Sequence, residues 1–124
     1  MNHEEELIRS FFMPTKRQRY LDFVSKPKTR QKFLRELAHF KSLDPRYANV
    51  VHVKPDGLAA LLKQKRVPDM CWVVSENREI DGKSMLTSDA LAELGRDMGT
   101  FLSFVPGKLA YFENEDGHWI LEHT

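Results

Sequence analysis

Little in this chain marks it for a particular chemistry. It has one cysteine, Cys71, which excludes an intrachain disulfide framework and fits a reducing compartment. Neither sign of charge predominates. Nineteen Lys and Arg face 18 Asp and Glu, a formal net of +1, so total charge selects no partner. No apolar run approaches the ~20 residues needed to span a bilayer. Met1-Asn2-His3-Glu4-Glu5-Glu6 is acidic where the basic start of a secretion signal would stand. The chain is therefore read as cytoplasmic, with no membrane contact. No His-Glu-x-x-His or Cys-x-x-Cys pair is present. The five histidines, His3, His39, His52, His118 and His123, are scattered, so neither a metal nor any other cofactor is expected.

What is present suits an ordinary folded protein. The 124 residues are 41% hydrophobic and 30% charged, enough for one domain with its own core. The expected fold class is α+β, as a single domain over 1–124. Residues 1–44 form a helical N-terminal part, and residues 45–124 a mixed part holding a βαβ unit and a C-terminal antiparallel meander in one mixed sheet. Apolar residues at helical spacing predict helices over 2–12, 14–25 and 27–41. Pro14 and Pro27 break one helix and start the next. Met70-Cys71-Trp72-Val73-Val74-Ser75 is a short, nearly unbroken apolar run. It predicts a strand buried on both faces. Asn49 to Val53 predicts another strand, followed by a helix over 57–66 capped by Asp56. Thr87 or Ser88 should cap a helix over 88–97. Strands are expected over 100–105, 109–112 and 119–121, with a hairpin turn at Asn114-Glu115-Asp116-Gly117. Lys108, Glu113, His118 and Glu122 border these runs as edge-protecting charges.

A strand–helix–strand unit with adjacent parallel strands would bring two strand ends to one edge, where open α/β sheets bind ligands. That places His52 and Lys54 beside Ser75, Glu76, Asn77 and Arg78, the candidate ligand-binding set. Lys54 and Arg78 could hold an anion, and Asn77 offers a donor and an acceptor. Ser75, His52 and Glu76 could act as nucleophile, base and orienting acid. Ser75 lacks the glycine-flanked elbow of a hydrolase serine, so a hydrogen-bonded structural cluster is the simpler expectation and no catalytic residue is assigned. Asn77 to Ser84 ends in Gly-Lys-Ser like a phosphate loop. It has Asn77 where that loop needs glycine, and acidic residues where the anion would lie; a polar turn explains it better. Arg46 in Leu43-Asp44-Pro45-Arg46 is expected to pair with Asp44 or cap a helix, and Cys71 to be a small core residue.

Charge is unevenly spread. From Lys16 to Lys41, nine basic residues face two acidic ones, a net of +7; from Glu76 to Thr124, four face ten, a net of −6. One reading makes Lys16, Arg17, Arg19, Lys26, Lys28, Arg30, Lys32 and Arg35 a polyanion-binding face. The simpler one makes them a solvated surface, or pairs the basic half with the acidic half within one molecule or between two copies.

Phe11-Phe12, Lys16 to Tyr20, Arg30 to Arg46, Val73 to Asn77 and Pro106 to Tyr111 together resemble a group of short bacterial proteins known only as conserved hypothetical sequences. The resemblance implies a bacterial cytoplasmic protein and supplies no activity, cofactor or site residue. The expected function is a small intracellular, non-catalytic binding or adaptor protein whose partner is another protein or a small ligand, with a homodimer left open. The alternatives are a nucleic-acid binder using the basic helices 16–41, and a small enzyme with a site near His52 and Ser75.

Overall fold

The computed structural model describes residues 2–52 and 55–123, with Pro55 and Asp56 described by backbone alone. The elements, in order, are α1 (His3–Phe11), α2 (Arg17–Val24), α3 (Pro27–Glu36), β1 (Ala48–Val50), α4 (Pro55–Gln64), β2 (Met70–Ser75), β3 (Ser84–Leu86), α5 (Thr87–Ala92), β4 (Thr100–Val105), β5 (Leu109–Asn114) and β6 (Gly117–Glu122). Short 3-10 turns precede α2 and extend α3. The expected capping side chain of Asp56 and the Val53 end of the first predicted strand lie outside the described residues.

Local chemistry explains the helix starts. Asn2 caps α1, its side-chain oxygen accepting from the Glu4 and Glu5 amides, and Glu4 to Glu6 favour the positive end of the helix dipole. Pro14 opens the turn before α2, and Pro27 occupies the first turn of α3, where no amide hydrogen is missed. The helix expected over 88–97 is shorter and starts earlier. Thr87 is its first residue rather than its cap, because its hydroxyl is spent on the Pro68 carbonyl at 2.9 Å.

The strands form one six-stranded sheet in the order β1-β6-β5-β4-β2-β3. Every pairing is antiparallel, so the sheet is not mixed as expected. β1 and β2 do run in the same direction, joined through α4, but three strands separate them. Burial explains the order. All six residues of β5 and five of the six of β4 are buried, so these take the centre. β1 is short and largely exposed, and suits an edge. β2 is buried on both faces as expected, but lies second from the other edge with Met70 exposed.

Alternation along the strands builds two cores. Val74, Phe101, Phe112 and Leu121 face α1–α3, whereas Val73, Leu102, Tyr111 and Ile120 face α4 and α5. The sheet is thus the middle of three layers. Phe12 anchors the first core, its ring 4.8 Å from that of Phe40 and 5.2 Å from that of Tyr20. Cys71 is buried in the second core, and burial pushes its thiol pKa up. The β4–β5 turn places Pro106 before Gly107, whose φ of +72° gives a type II turn closed by the Lys108 amide on the Val105 carbonyl at 2.9 Å. No described helix is long and apolar enough to cross a membrane.

Candidate functional site

The expected site does not assemble. Four strand steps of ~4.8 Å put β1 and β2 roughly 19 Å apart, so His52, exposed beyond β1, is not a neighbour of Ser75. Lys54 lies outside the described residues. Ser75 is fully buried, and its hydroxyl is committed twice. Its oxygen accepts from the Asn77 amide at 3.0 Å and lies 2.7 Å from Thr100 Oγ1. The Thr100 hydroxyl donates to the Met98 carbonyl, which leaves the Ser75 proton to fill the Ser–Thr bond. Asn77 Oδ1 accepts from the Glu79 amide, and Glu76 Oε1 from the Gly99 amide at 2.7 Å. This tip of β2 is a structural knot with no free nucleophile. Arg78 is exposed instead beside Arg35 and Glu76, on a shallow groove against α3.

The basic helices are partly spent on structure. Arg30 pairs with Glu4 and Asp81, and these carboxylates raise its pKa. Arg19 pairs with Glu36 at 3.3 Å, and Arg17 Nε donates to the Phe12 carbonyl. Arg30–Asp81 and His39–Glu115 join the basic half to the acidic half within one molecule. Lys28, Lys32 and Arg35 remain exposed along one ridge of α3. Arg46 pairs with Asp44, as expected.

A better site lies on the opposite face of the sheet. Tyr111 and Glu113 are two residues apart on β5 and so share a face. The β5–β6 register sets His118 directly across from Glu113. α4 supplies Leu58 and Ala59, and α5 with the segment after it supplies Leu91, Leu94 and Gly95. Together these residues line a cavity of about 210 Å³ that opens at Ala59 and His118. Four of the walls are aliphatic; the polar groups converge from the sheet.

The hydrogen bonds assign the protons. Glu113 is only 5% exposed. Its Oε1 accepts from the Tyr111 hydroxyl at 2.8 Å and its Oε2 from the Gly95 amide at 2.8 Å. Burial and the neighbouring carboxylate push the Tyr111 pKa well up, so the phenol keeps its proton and donates it. His118 Nδ1 lies 2.8 Å from the same phenol oxygen. With the only phenol proton on Glu113, Nδ1–H must be the donor there. Nε2 is then the unused nitrogen of an imidazole whose ring is half exposed. Among the described residues, no Lys or Arg lies within ion-pair distance of Glu113; its nearest basic group is His118 Nδ1 at 3.6 Å.

This arrangement can hold a small molecule by an apolar body and a polar end, the usual composition of a binding cavity. Sequence reasoning missed it by ending the two strands early. With β5 stopped at Phe112, Glu113 and His118 read as edge charges. Extending the alternation two residues to Asn114, across a two-residue turn, pairs Glu113 with His118. No protein-family model, curated protein or solved structure matches the chain.

Proposed function

We propose that the protein is a small-molecule-binding protein whose ligand occupies the cavity between α4, α5 and the sheet. One observation carries this reading: a buried carboxylate, Glu113, lines a cavity whose other walls are mostly aliphatic. Among the described residues no Lys or Arg reaches Glu113, and His118 Nδ1 stands 3.6 Å away; burying a charge so sparsely compensated is costly, and such groups concentrate at functional sites. The size, about 210 Å³, lies below the roughly 300–1,000 Å³ of pockets for drug-sized ligands, which suits a small metabolite. Glu113 and Tyr111 are held in a hydrogen bond to each other, and the other walls are mostly aliphatic, which supports binding as the role. The single buried cysteine supports a reducing cytoplasm as its setting, and the resemblance a bacterial one.

The test is methyl NMR with a library of small fragments. Ligands should shift the methyls of Leu58, Leu91 and Leu94 together. Ala59→Trp, which changes an exposed wall residue, should block the cavity and abolish those shifts. Fragments that leave the three leucines unmoved would overturn the reading.

A second reading, polyanion binding, is favoured by the ridge of Lys28, Lys32 and Arg35, with Arg78 beside Arg35 across the groove. With about four cations, binding to single-stranded DNA should weaken with salt at a log–log slope near −3. Arg35→Glu should weaken it further. No anisotropy change at low salt removes this reading.

A further inference from the structure

The geometry points to the ligand's chemical class: a small primary amine with a branched or straight aliphatic body, bound as its ammonium ion to Glu113. This rests on the cavity being the binding site.

The carboxylate decides the polar end. Glu113 offers about four lone-pair directions; among the described residues two are used, for Tyr111 and Gly95. The remaining ones belong to a group that lines the cavity. A ligand entering there strips Glu113 of water. An uncharged ligand leaves the carboxylate dehydrated and unpaired, and an anionic one adds repulsion. An ammonium supplies both a counter-charge and three N–H donors, which form the stronger, charge-assisted kind of hydrogen bond. Tyr111 cannot serve as the counter-charge, because it is a neutral donor already committed to Oε1. His118 fits the same ligand. Its Nδ1 is engaged with the Tyr111 hydroxyl, which leaves Nε2 for the ligand.

The walls decide the body. Leu58, Leu91 and Leu94 present aliphatic carbon, and Ala59 and Gly95 add no bulk. The hydrocarbon part of a small amine packs there without asking for a hydrogen bond. A nucleotide or a sugar phosphate would bring charge of the wrong sign.

The experiment compares isobutylamine, isobutanol and isovalerate at neutral pH, read by leucine methyl shifts in the wild-type protein and in Glu113→Gln. Isobutylamine should bind at least about tenfold more tightly than isobutanol, equivalent to ~1.4 kcal/mol, and isovalerate should not bind. In Glu113→Gln the amine and alcohol should bind equally. If isobutanol or isovalerate binds the wild type as well as the amine does, the amine assignment falls while the cavity stands as a binding site. If neither these probes nor the wider fragment library moves the leucine methyls, both readings fall. The wild-type comparison decides the matter even if Glu113→Gln does not fold.

Discussion

Arg30 of α3 clasps Asp81 in the β2–β3 loop, its Nη2 2.9 Å from Oδ1. The same guanidinium donates to both oxygens of Glu4 in α1. The carboxylates are useful twice over: Asp81 also accepts the Ser75 amide, and Glu4 the Trp72 indole N–H. One arginine thus ties two N-terminal helices to β2 at Trp72 and Ser75. Its side chain and both partners are 15% exposed or less. Arg30→Ala should therefore cost ~3–5 kcal/mol, the range for stranding buried charges by removing one partner. Urea unfolding would measure it. Adding Glu4→Gln and Asp81→Asn to Arg30→Ala should recover part of the loss. A loss below about 1 kcal/mol for the single variant, the value of an exposed pair, would show that the clasp does not hold the layers together.

Tyr111→Phe probes the proton order of the cavity. The change removes the donor to Glu113 Oε1 and the acceptor for His118 Nδ1 while keeping the ring. Leaving those groups unsatisfied should cost about 1–3 kcal/mol. The more specific readout is the imidazole. In the wild type, 15N NMR should find neutral His118 protonated at Nδ1. In Tyr111→Phe that preference should disappear. A wild-type ring protonated at Nε2 would contradict the proton assignment.

The helices were legible because apolar residues recur at helical spacing and Pro14 and Pro27 mark where one helix stops and the next begins. The strands were legible as short apolar, β-rich runs, and the α+β class and C-terminal meander followed. Strand order was not. Residues 48–50 and 70–75 look like partners because a helix joins them, yet pairing is decided by which strands can be buried on both faces. β4 and β5 win the centre, and β1 is left to the far edge. The cavity was illegible for a related reason. Glu113 is a charged residue at the end of an apolar run, and only the extended register shows it opposite His118 and under α4 and α5. Arg30 was likewise indistinguishable from its exposed neighbours Lys28 and Lys32 until Asp81 was brought to it.

Gly99→Ala tests how closely the N-terminal layer sits on the sheet. A Cβ at this position would lie 2.5 Å from the carbonyl carbon of Leu37 and 2.7 Å from its oxygen. Those are backbone atoms of the 3-10 turn that follows α3, so no side-chain rotation relieves the overlap. Gly99 also exchanges hydrogen bonds with Glu76, donating to the carboxylate and accepting from the amide, which resists movement on the other side. The substitution should cost at least ~1–3 kcal/mol, the range for overpacking, and lower the thermal midpoint. Gly95→Ala is the control for space: nothing lies within 4 Å of a Cβ there, although its φ of +87° makes it strained in its own right. A Gly99→Ala protein as stable as wild type would mean that Leu37 sits further from the sheet than described.

Asp44 should make part of the stability depend on acid pH. It is buried, and the Arg46 side chain binds it with Nη2 2.7 Å and Nε 3.1 Å away. That side-chain contact is the main reason its pKa is lowered; the Arg46 amide adds to it, as does Arg17 at 3.9 Å, against the opposing effect of burial. A carboxyl whose pKa is lower folded than unfolded contributes stability above its unfolded value, near 3.9, and loses that contribution as pH falls through the folded value. Asp44→Asn cannot ionise. It should be less stable than wild type at neutral pH, with a gap that stays constant down to the ordinary Asp range and narrows below it. Urea unfolding of both proteins across that range gives the gap directly. A gap that widens on acidification would reverse the sign and rule out Arg46 as the source of the shift. Lys in place of Arg46 separates charge from geometry. It keeps the positive charge but loses the forked contact, so Arg46→Lys should retain only part of the acid-sensitive stability.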